Sequence, residues 1–457
     1  MIARRDRVLA ALFALQLVAA AIFGAVLVRG LSHREPQRLV TAAPAADAGS
    51  AAPTVVASGP AGKAGTAART TTTTSGGDGG SGTSTSVAGT SATVVAKGAP
   101  IRVGSIVTQT GAINFVASAQ GTKAYLDRVN AQGGVNGHKI VLDLRDDQLD
   151  AARGKAQARQ LLSSGVFAFA AWQAPLTEGD IVPFLEQNKM PLIGAYGVGQ
   201  EYHSPYAYSF QSHHYGYEMG RFLALEPKVT HPAAIFISGN AASNVAQVKA
   251  ITAGVKAGGK SIASGDIVQV DVTKASYDDV VTQFKLGGVD GILTIVDQTA
   301  YNRLQQALDR QSFHPVHVAD PLFTDPTVRQ GPTTEGTLVA SDFEFLETGG
   351  PAVQEYAAAV RKEFGAHAQI SYLGVAGWFG AKVLVEAIRR MGNDISRANL
   401  LKTMDSLPGS LGAGFTAPLT FRPGDHDINQ CLKLGKVSGG KVTAYKDFSC
   451  DQQSFDS

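Results

Sequence analysis

Few residues in this chain are spaced for chemistry, and their neighbours restrict what they do. Gly254, Gly259, Lys260 and Ser261 reproduce the Gly-x4-Gly-Lys-Ser spacing of a phosphate-cradling loop. Such a loop needs a strand before its glycines and a helix after them, so that backbone N–H groups converge on phosphate at a helix N-terminus. Here a helical pattern runs into Gly254 and a strand pattern follows Ser261, so nucleotide binding is not expected. His203, His213 and His214 stand among tyrosines, but their spacing fits no zinc pattern, and no metal or other cofactor is expected. Asp146-Asp147 has the makings of a paired acid and base. It follows a strand, however, in a turn into a helix led by Asp150, where carboxylates accept from free N–H groups and complement the helix dipole. A structural use is expected. No Gly-x-Ser-x-Gly, Cys-x-x-Cys or His-Glu-x-x-His motif supplies a nucleophile or a metal-bound water, and the reading is a binding protein rather than an enzyme.

The elements that must hold any site are clearer. At 457 residues the chain has room for two domains and extra segments. Its 40 basic and 38 acidic residues are interspersed, leaving no basic stripe, so nucleic acid is not an expected partner. Residues 8–28 carry no charge and one strongly polar side chain, Gln16, enough apolar length to span a bilayer. The competing reading is a cleavable signal, whose apolar run is shorter and is followed closely by small residues. Here Arg29, His33, Arg34 and Arg38 intervene first. The expected order is a cytoplasmic N-terminus at 1–7, a transmembrane anchor or signal segment at 8–28, and an Ala/Gly/Ser/Thr-rich linker at 29–98 that buries too little apolar surface to fold. A linker of this length reaches roughly 40–45 Å as a flexible chain.

From residue 101 strands and helices alternate. Strands are expected at 101–107, 139–144, 166–172 and 190–195, and in a second series at 233–238, 267–272, 291–296, 316–319 and 336–343. Continuous apolar strands between amphipathic helices indicate parallel sheets covered on both faces. Helices at 352–364, 373–391 and 397–407 lack intervening strands and serve best as cover for an existing sheet, so the chain crosses between lobes more than once. Near the C-terminus two strand-like runs, 431–437 and 441–448, meet at Gly439-Gly440. A tight turn there places Cys431 opposite Phe448 and close to Cys450, which makes a disulfide feasible; two unpaired buried thiols are the alternative.

The run Asn130-Ala131-Gln132-Gly133-Gly134-Val135-Asn136-Gly137-His138-Lys139-Ile140, followed by Asp146-Asp147 and the Asp150-Ala151 helix start, carries a family likeness. With the opening strand, the Thr110-Gly111 loop and the first helix, it resembles the N-terminal lobe of the periplasmic leucine/isoleucine/valine-binding family, the type I solute-binding proteins of ABC importers. Similarity continues to about Val442. The resemblance implies two doubly wound, Rossmann-like lobes joined by three crossovers, a type I periplasmic-binding-protein fold, here preceded by one transmembrane helix and a disordered linker. Lobe one is expected to comprise 99–217 with 345–416, lobe two 218–344 with 417–450, and 451–457 a tail. The crossovers are expected around 213–221, 338–345 and 416–423.

Open α/β sheets bind ligands beyond the C-terminal ends of their strands. Those ends offer Gln109, Thr110, Asn114 and Phe115, then Trp172, Gln173 and Thr177, then Tyr196 and Gly197. In the second series they offer Ser238 and Asn240, then Asp297 and Asp320. The resemblance implies that Thr177 caps its helix and receives a ligand carboxylate, and that Asp297 or Asp320 meets a cation. Gln173-Ala174-Pro175-Leu176 replaces the family's Ser/Thr cluster, and Ser243-Asn244 its Tyr-Gly pair, which points away from branched-chain amino acids to another amino acid, an amide or a small carboxylate. The expected role is an extracytoplasmic, membrane-anchored monomer, or a secreted one if the segment is cleaved. It captures a small molecule and hands it to ABC permease subunits; the alternative is a sensing receptor of the same fold that signals to a separate partner.

Overall fold

The computed structural model describes residues 97–450, apart from Ala112, Val198, Gly199, His213, His214, Gly239, Asn240, Gln330 and Asp425. The candidate anchor at 8–28, most of the linker, the tail, His213, His214 and Asn240 therefore lie outside the described residues. Among the described residues no helix is long and apolar enough to cross a membrane.

Two sheets organise the chain. The first contains β1 (Ile101–Val107), β2 (Ile140–Asp146), β3 (Ala168–Ala170), β4 (Leu192–Ala195) and β5 (Ala207–Ser209), all parallel and ordered β2-β1-β3-β4-β5. The second contains β6 (Pro232–Ile237), β7 (Ile267–Val270), β8 (Gly291–Ile295), β9 (Val316–Ala319), β10 (Leu338–Ser341), β11 (Leu432–Ser438) and β12 (Lys441–Ser449), ordered β12-β11-β10-β9-β8-β6-β7. Within it β7-β6-β8-β9-β10 repeats the order of the first sheet. In both, the chain direction switches beside the first strand of the series, between β1 and β3 and between β6 and β8, and a doubly wound sheet opens a crevice at that point.

The strands are short apolar runs because both faces are covered. Val103, Ile106, Val107, Ala168, Phe169, Ala170, Leu192 and Ile193 have no exposed surface. Helix α1 (Val116–Ala131) shares one side of the first sheet with α8 (Pro351–Phe364) and α9 (Tyr372–Met391), while α2 (Ala151–Ser163) and α3 (Pro175–Gln187) pack together on the other. Helix α9 is buried on nearly every side, as expected of a helix that is apolar all round. It sits close because it is notched with glycine: a Cβ at Gly121 would overlap the Gly374 carbonyl, and one at Gly377 the Ser118 carbonyl. Arg397 opens α10 (Arg397–Met404) and donates to the Val166 and Phe167 carbonyls at 2.8 and 3.0 Å, tying that helix to the entry of β3. In the second half, α4 (Tyr215–Leu225) pairs with α5 (Ala241–Ala257), and α6 (Asp278–Leu286) with α7 (Gln298–Arg310).

The chain thus leaves the first sheet after β5, returns after β10 to lay down α8, α9 and α10, and departs again to form the antiparallel hairpin β11–β12. Gly439 and Gly440 both adopt positive φ, +58° and +73°, as a two-residue hairpin turn demands. Register is where the hairpin departs from expectation. Two irregularities, between Leu432 and Leu434 and between Leu434 and Gly435, slide the strands until Leu432 pairs with Ser449. Cys431 consequently faces Cys450 rather than Phe448, and the two form a disulfide.

Candidate functional site

At the exit of β1 the loop is built by the two aspartates that end β2. Asp147 accepts from the Thr108 hydroxyl at 2.7 Å and from the Leu149 N–H at 3.1 Å. Asp146 accepts from the Gln109 and Thr110 N–H groups at 2.9 and 3.3 Å and from the Thr110 hydroxyl at 2.7 Å. Burial pushes the Asp146 carboxyl up, but these bonds together with that from Gln148 hold it below its ordinary range. Asp150 caps α2 by accepting from the Arg153 N–H at 2.8 Å. The acidic run is spent on loop and helix geometry. Gln109 stays half-buried, Thr110 and Asn114 are exposed, and the buried Phe115 ring meets the Tyr196 ring edge-on with centroids 5.1 Å apart.

The exit of β3 is turned inward. Trp172 is wholly buried against Phe169, and its indole N–H lies 3.4 Å from the Thr177 hydroxyl oxygen. Thr177 is not the N-cap. Pro175, with its preset φ, takes the first helical position, so Ala174 becomes the cap and makes no side-chain bond. Thr177 falls inside the first turn, buried, with its hydroxyl donating to the Ala174 carbonyl at 2.9 Å. Gln173 is buried as well. Its amide N–H donates to the Gly194 carbonyl at 3.4 Å, and its Oε1 has no partner among the described residues.

Beneath the exit of β4 lies a residue not foreseen from the sequence. Glu178, fully buried in the first turn of α3, accepts from the Tyr196 N–H and, at 3.4 Å, from the Gly197 N–H. Burial, reinforced by Glu201, pushes its carboxyl well above the ordinary range. Gly197 adopts φ +89°, and a Cβ there would overlap the Tyr202 hydroxyl, so the chain passes this point only without a side chain.

The second sheet contributes three carboxyls at successive strand exits. Asp297 caps α7 through the Thr299 and Ala300 N–H groups at 2.8 and 3.1 Å, while its Oδ2 is buried without a partner among the described residues. Burial raises it. Asp320 caps the short turn Pro321–Thr324 through the Leu322 N–H at 2.9 Å, and burial pushes it up to about 8. Asp342, unanticipated, follows β10 with no exposed surface and is pushed by burial to about 6. Ser238 is exposed, and its hydroxyl accepts from the Asn244 amide at 3.0 Å.

These exits share one region. The Tyr196 hydroxyl is pushed up by burial and then by Asp320, Glu178, Asp342 and Asp297, which puts the end of β4 within electrostatic reach of the ends of β8, β9 and β10. Aromatic rings and buried acids from two sheets therefore converge. The arrangement provides hydrogen-bond acceptors and ring faces; among the described residues no group of three or more His, Cys, Asp or Glu is placed to hold a metal. The phosphate-loop look-alike has a packing explanation: Gly254 lies within α5 where a Cβ would overlap the Tyr217 carbonyl, and Lys260 donates to the Glu226 carbonyl at 2.9 Å.

A family model described as periplasmic binding protein matches residues 100–441. The chain belongs to the periplasmic binding protein family. Its structure is similar to that of a branched-chain amino acid ABC transporter protein from Thermus thermophilus with bound valine, at TM-score 0.69 and 17% identity, covering 78% of this chain and 98% of that one. It is also similar to a fatty acid ABC transporter substrate-binding protein from Thermomonospora curvata (0.65, 17%, 79% and 95%). A third similar structure is a solute-binding protein of an ABC transporter from Rhodopseudomonas palustris BisB5 in complex with 3,4-dihydroxybenzoic acid (0.65, 20%, 76% and 96%). At such identities these likenesses carry the fold. No curated protein matches the sequence. The resemblance to type I solute-binding proteins of the leucine/isoleucine/valine kind stands, and members of this family in general bind substrates rather than transform them.

Proposed function

We propose that this periplasmic binding protein captures a small polar metabolite, an amino acid, amide or related carboxylate, between two lobes outside the cytoplasm and delivers it to the permease subunits of an ABC importer. The lobes are proposed as 99–217 with 345–416 and 218–344 with 417–450. The passages between the sheets at Phe210, Asp342 and Asn429 shift these divisions, so that α4 stays whole and Leu419 and Ile428 remain with the first core. The observation that carries the reading is the convergence of Tyr196 with Asp297, Asp320 and Asp342 from the opposite sheet. Buried carboxyls displaced from their ordinary range cluster at functional sites. Phe115 and Tyr196 form an aromatic wall, Gln173 and Asp297 offer unsatisfied acceptors, and Gln109, Thr110, Asn114 and Gly197 complete the proposed lining. Trp172 and Thr177 support it from beneath. The ligand favours the closed arrangement by touching both lobes, and closure is the signal passed to the permease. Segment 8–28 holds the monomer at the membrane.

The test is a thermal-shift screen of the protein against amino acids, amides and aromatic acids, followed by calorimetry. A compound present at a hundred times its Kd stabilises by about 2.7 kcal/mol, so a ligand of micromolar class is plainly visible. A broad screen in which nothing stabilises the protein defeats the proposal.

A further inference from the structure

The three stretches of chain that pass between the sheets are fastened to one another by two buried side chains. Asn429, on the passage into β11, donates from Nδ2 to the Phe210 carbonyl at 2.8 Å on the passage leaving β5, and to the Asp342 carbonyl at 3.2 Å on the passage leaving β10. Its Oδ1 accepts from the Cys431 N–H at 3.4 Å, two residues along the chain and within the disulfide. Asp342 binds in the other direction. Its Oδ2 accepts from the Ser212 N–H at 2.6 Å, and its Oδ1 accepts from the Tyr372 hydroxyl at 3.0 Å. The Gln211 amide donates to that same hydroxyl at 2.9 Å. Asn429 and Asp342 are 1% and 0% exposed, so water does not substitute for these bonds.

A hinge in a two-sheet protein must absorb its rotation at passages like these. Here the carboxyl that clamps two passages also lies within electrostatic reach of Tyr196 in the cleft, and Tyr372 is influenced by both. We propose that Asp342 is a positioning residue: held by Asn429, it sets the relative placement of the two sheets and transmits cleft occupancy to the hinge. The proposal rests on the reading of the cleft as a ligand site. Asp342 is faced by Tyr215 from α4, Tyr372 from α9, Tyr196 from the end of β4 and Tyr202 from the turn Gln200–His203. Its bonds to Ser212 and Tyr372 are charge-assisted when it is ionised, but burial outweighs them and raises the carboxyl to about 6. Ionisation therefore disfavours the buried clamp, and the junction loosens as pH rises through about 6.

The chain's two cysteines are joined to each other, so spin labels go only where thiols are introduced. Arg159→Cys on α2 and Ala246→Cys on α5 in the full-length protein report the distance between the two sheets by electron–electron resonance. Without ligand, the distance distribution should broaden from pH 5 to pH 8 with a midpoint near 6, and Asp342→Asn should abolish that change. Asn429→Asp, which sets an acceptor against two carbonyls, should broaden it at both pH values. A wild-type distribution identical at pH 5 and pH 8, or an Asp342→Asn protein that titrates as wild type does, overturns the proposal. A wild-type distribution that does not change with pH refutes the proposal even if the variants do not fold. Because no ligand is added, a titrating hinge in a protein that binds nothing in the screen would defeat the transport reading and the transmission of occupancy, and would leave standing only the placement of the two sheets by Asp342.

Discussion

Replacing Asp320 with asparagine should flatten the dependence of stability on pH. Asp320 caps its turn through the Leu322 N–H at 2.9 Å and is 5% exposed, with its carboxyl pushed by burial from 3.8 to about 8. A folded pKa above the unfolded one means that the native protein keeps a proton which the unfolded chain has released. Stability from this group is therefore complete below about pH 4 and is lost as pH rises through about 8. One retained proton gives a slope of about 1.4 kcal/mol per pH unit, so about 3 kcal/mol disappears between pH 5 and pH 7. Asparagine is an equally good cap and does not titrate. Urea unfolding of both proteins at pH 5, 6 and 7 should show the variant's advantage growing by about 3 kcal/mol between pH 5 and pH 7. Parallel curves would mean that Asp320 is ionised in the folded protein and that the account of its burial is mistaken.

Changing both Cys431 and Cys450 to serine releases a loop with sequence separation 19 and should cost about 3 kcal/mol in denaturant unfolding, with the same shift on reducing the wild type. Gly121→Ala should destabilise by about 2 kcal/mol, because the pressure of a new Cβ on the Gly374 carbonyl outweighs about 1 kcal/mol of improved helix propensity; an unchanged unfolding midpoint would contradict the glycine seam between α1 and α9. Asp297→Asn keeps the acceptor that caps α7 and removes charge, so calorimetry should record about a tenfold loss, about 1.4 kcal/mol, for an aminated ligand and little for a benzoate. Equal losses would remove the ammonium assignment.

The alternation of elements was legible because strands covered on both faces read as unbroken apolar runs, and their exits follow once the strands are placed. What escaped reading depends on geometry that periodicity does not encode. β5 spans only Ala207–Ser209, too short to register. A strand expected to run through 336–343 ends at Ser341, and the difference concealed Asp342, whose partner Ser212 lies far away in the chain. Pro175 advanced the start of α3 and turned Thr177 from a cap into an interior hydroxyl. Glu178 gave no signal because an acid in the first turn of a helix is ordinarily a solvated one; only the backbone of Tyr196 and Gly197 reveals its use. The hairpin register hinged on two irregularities that local sequence does not announce.

The interleaved order of the elements also governs how the molecule is born. Strand β4 is complete at Ala195, yet the helix that covers it, α9, begins only at Tyr372, after every parallel strand of the other sheet has been made. During synthesis one side of the first sheet stays wet until the late helices emerge, and the sulfur bridge closes last of all at Cys450. A chain arranged in this way cannot cover its first sheet until residues 351–404 are available.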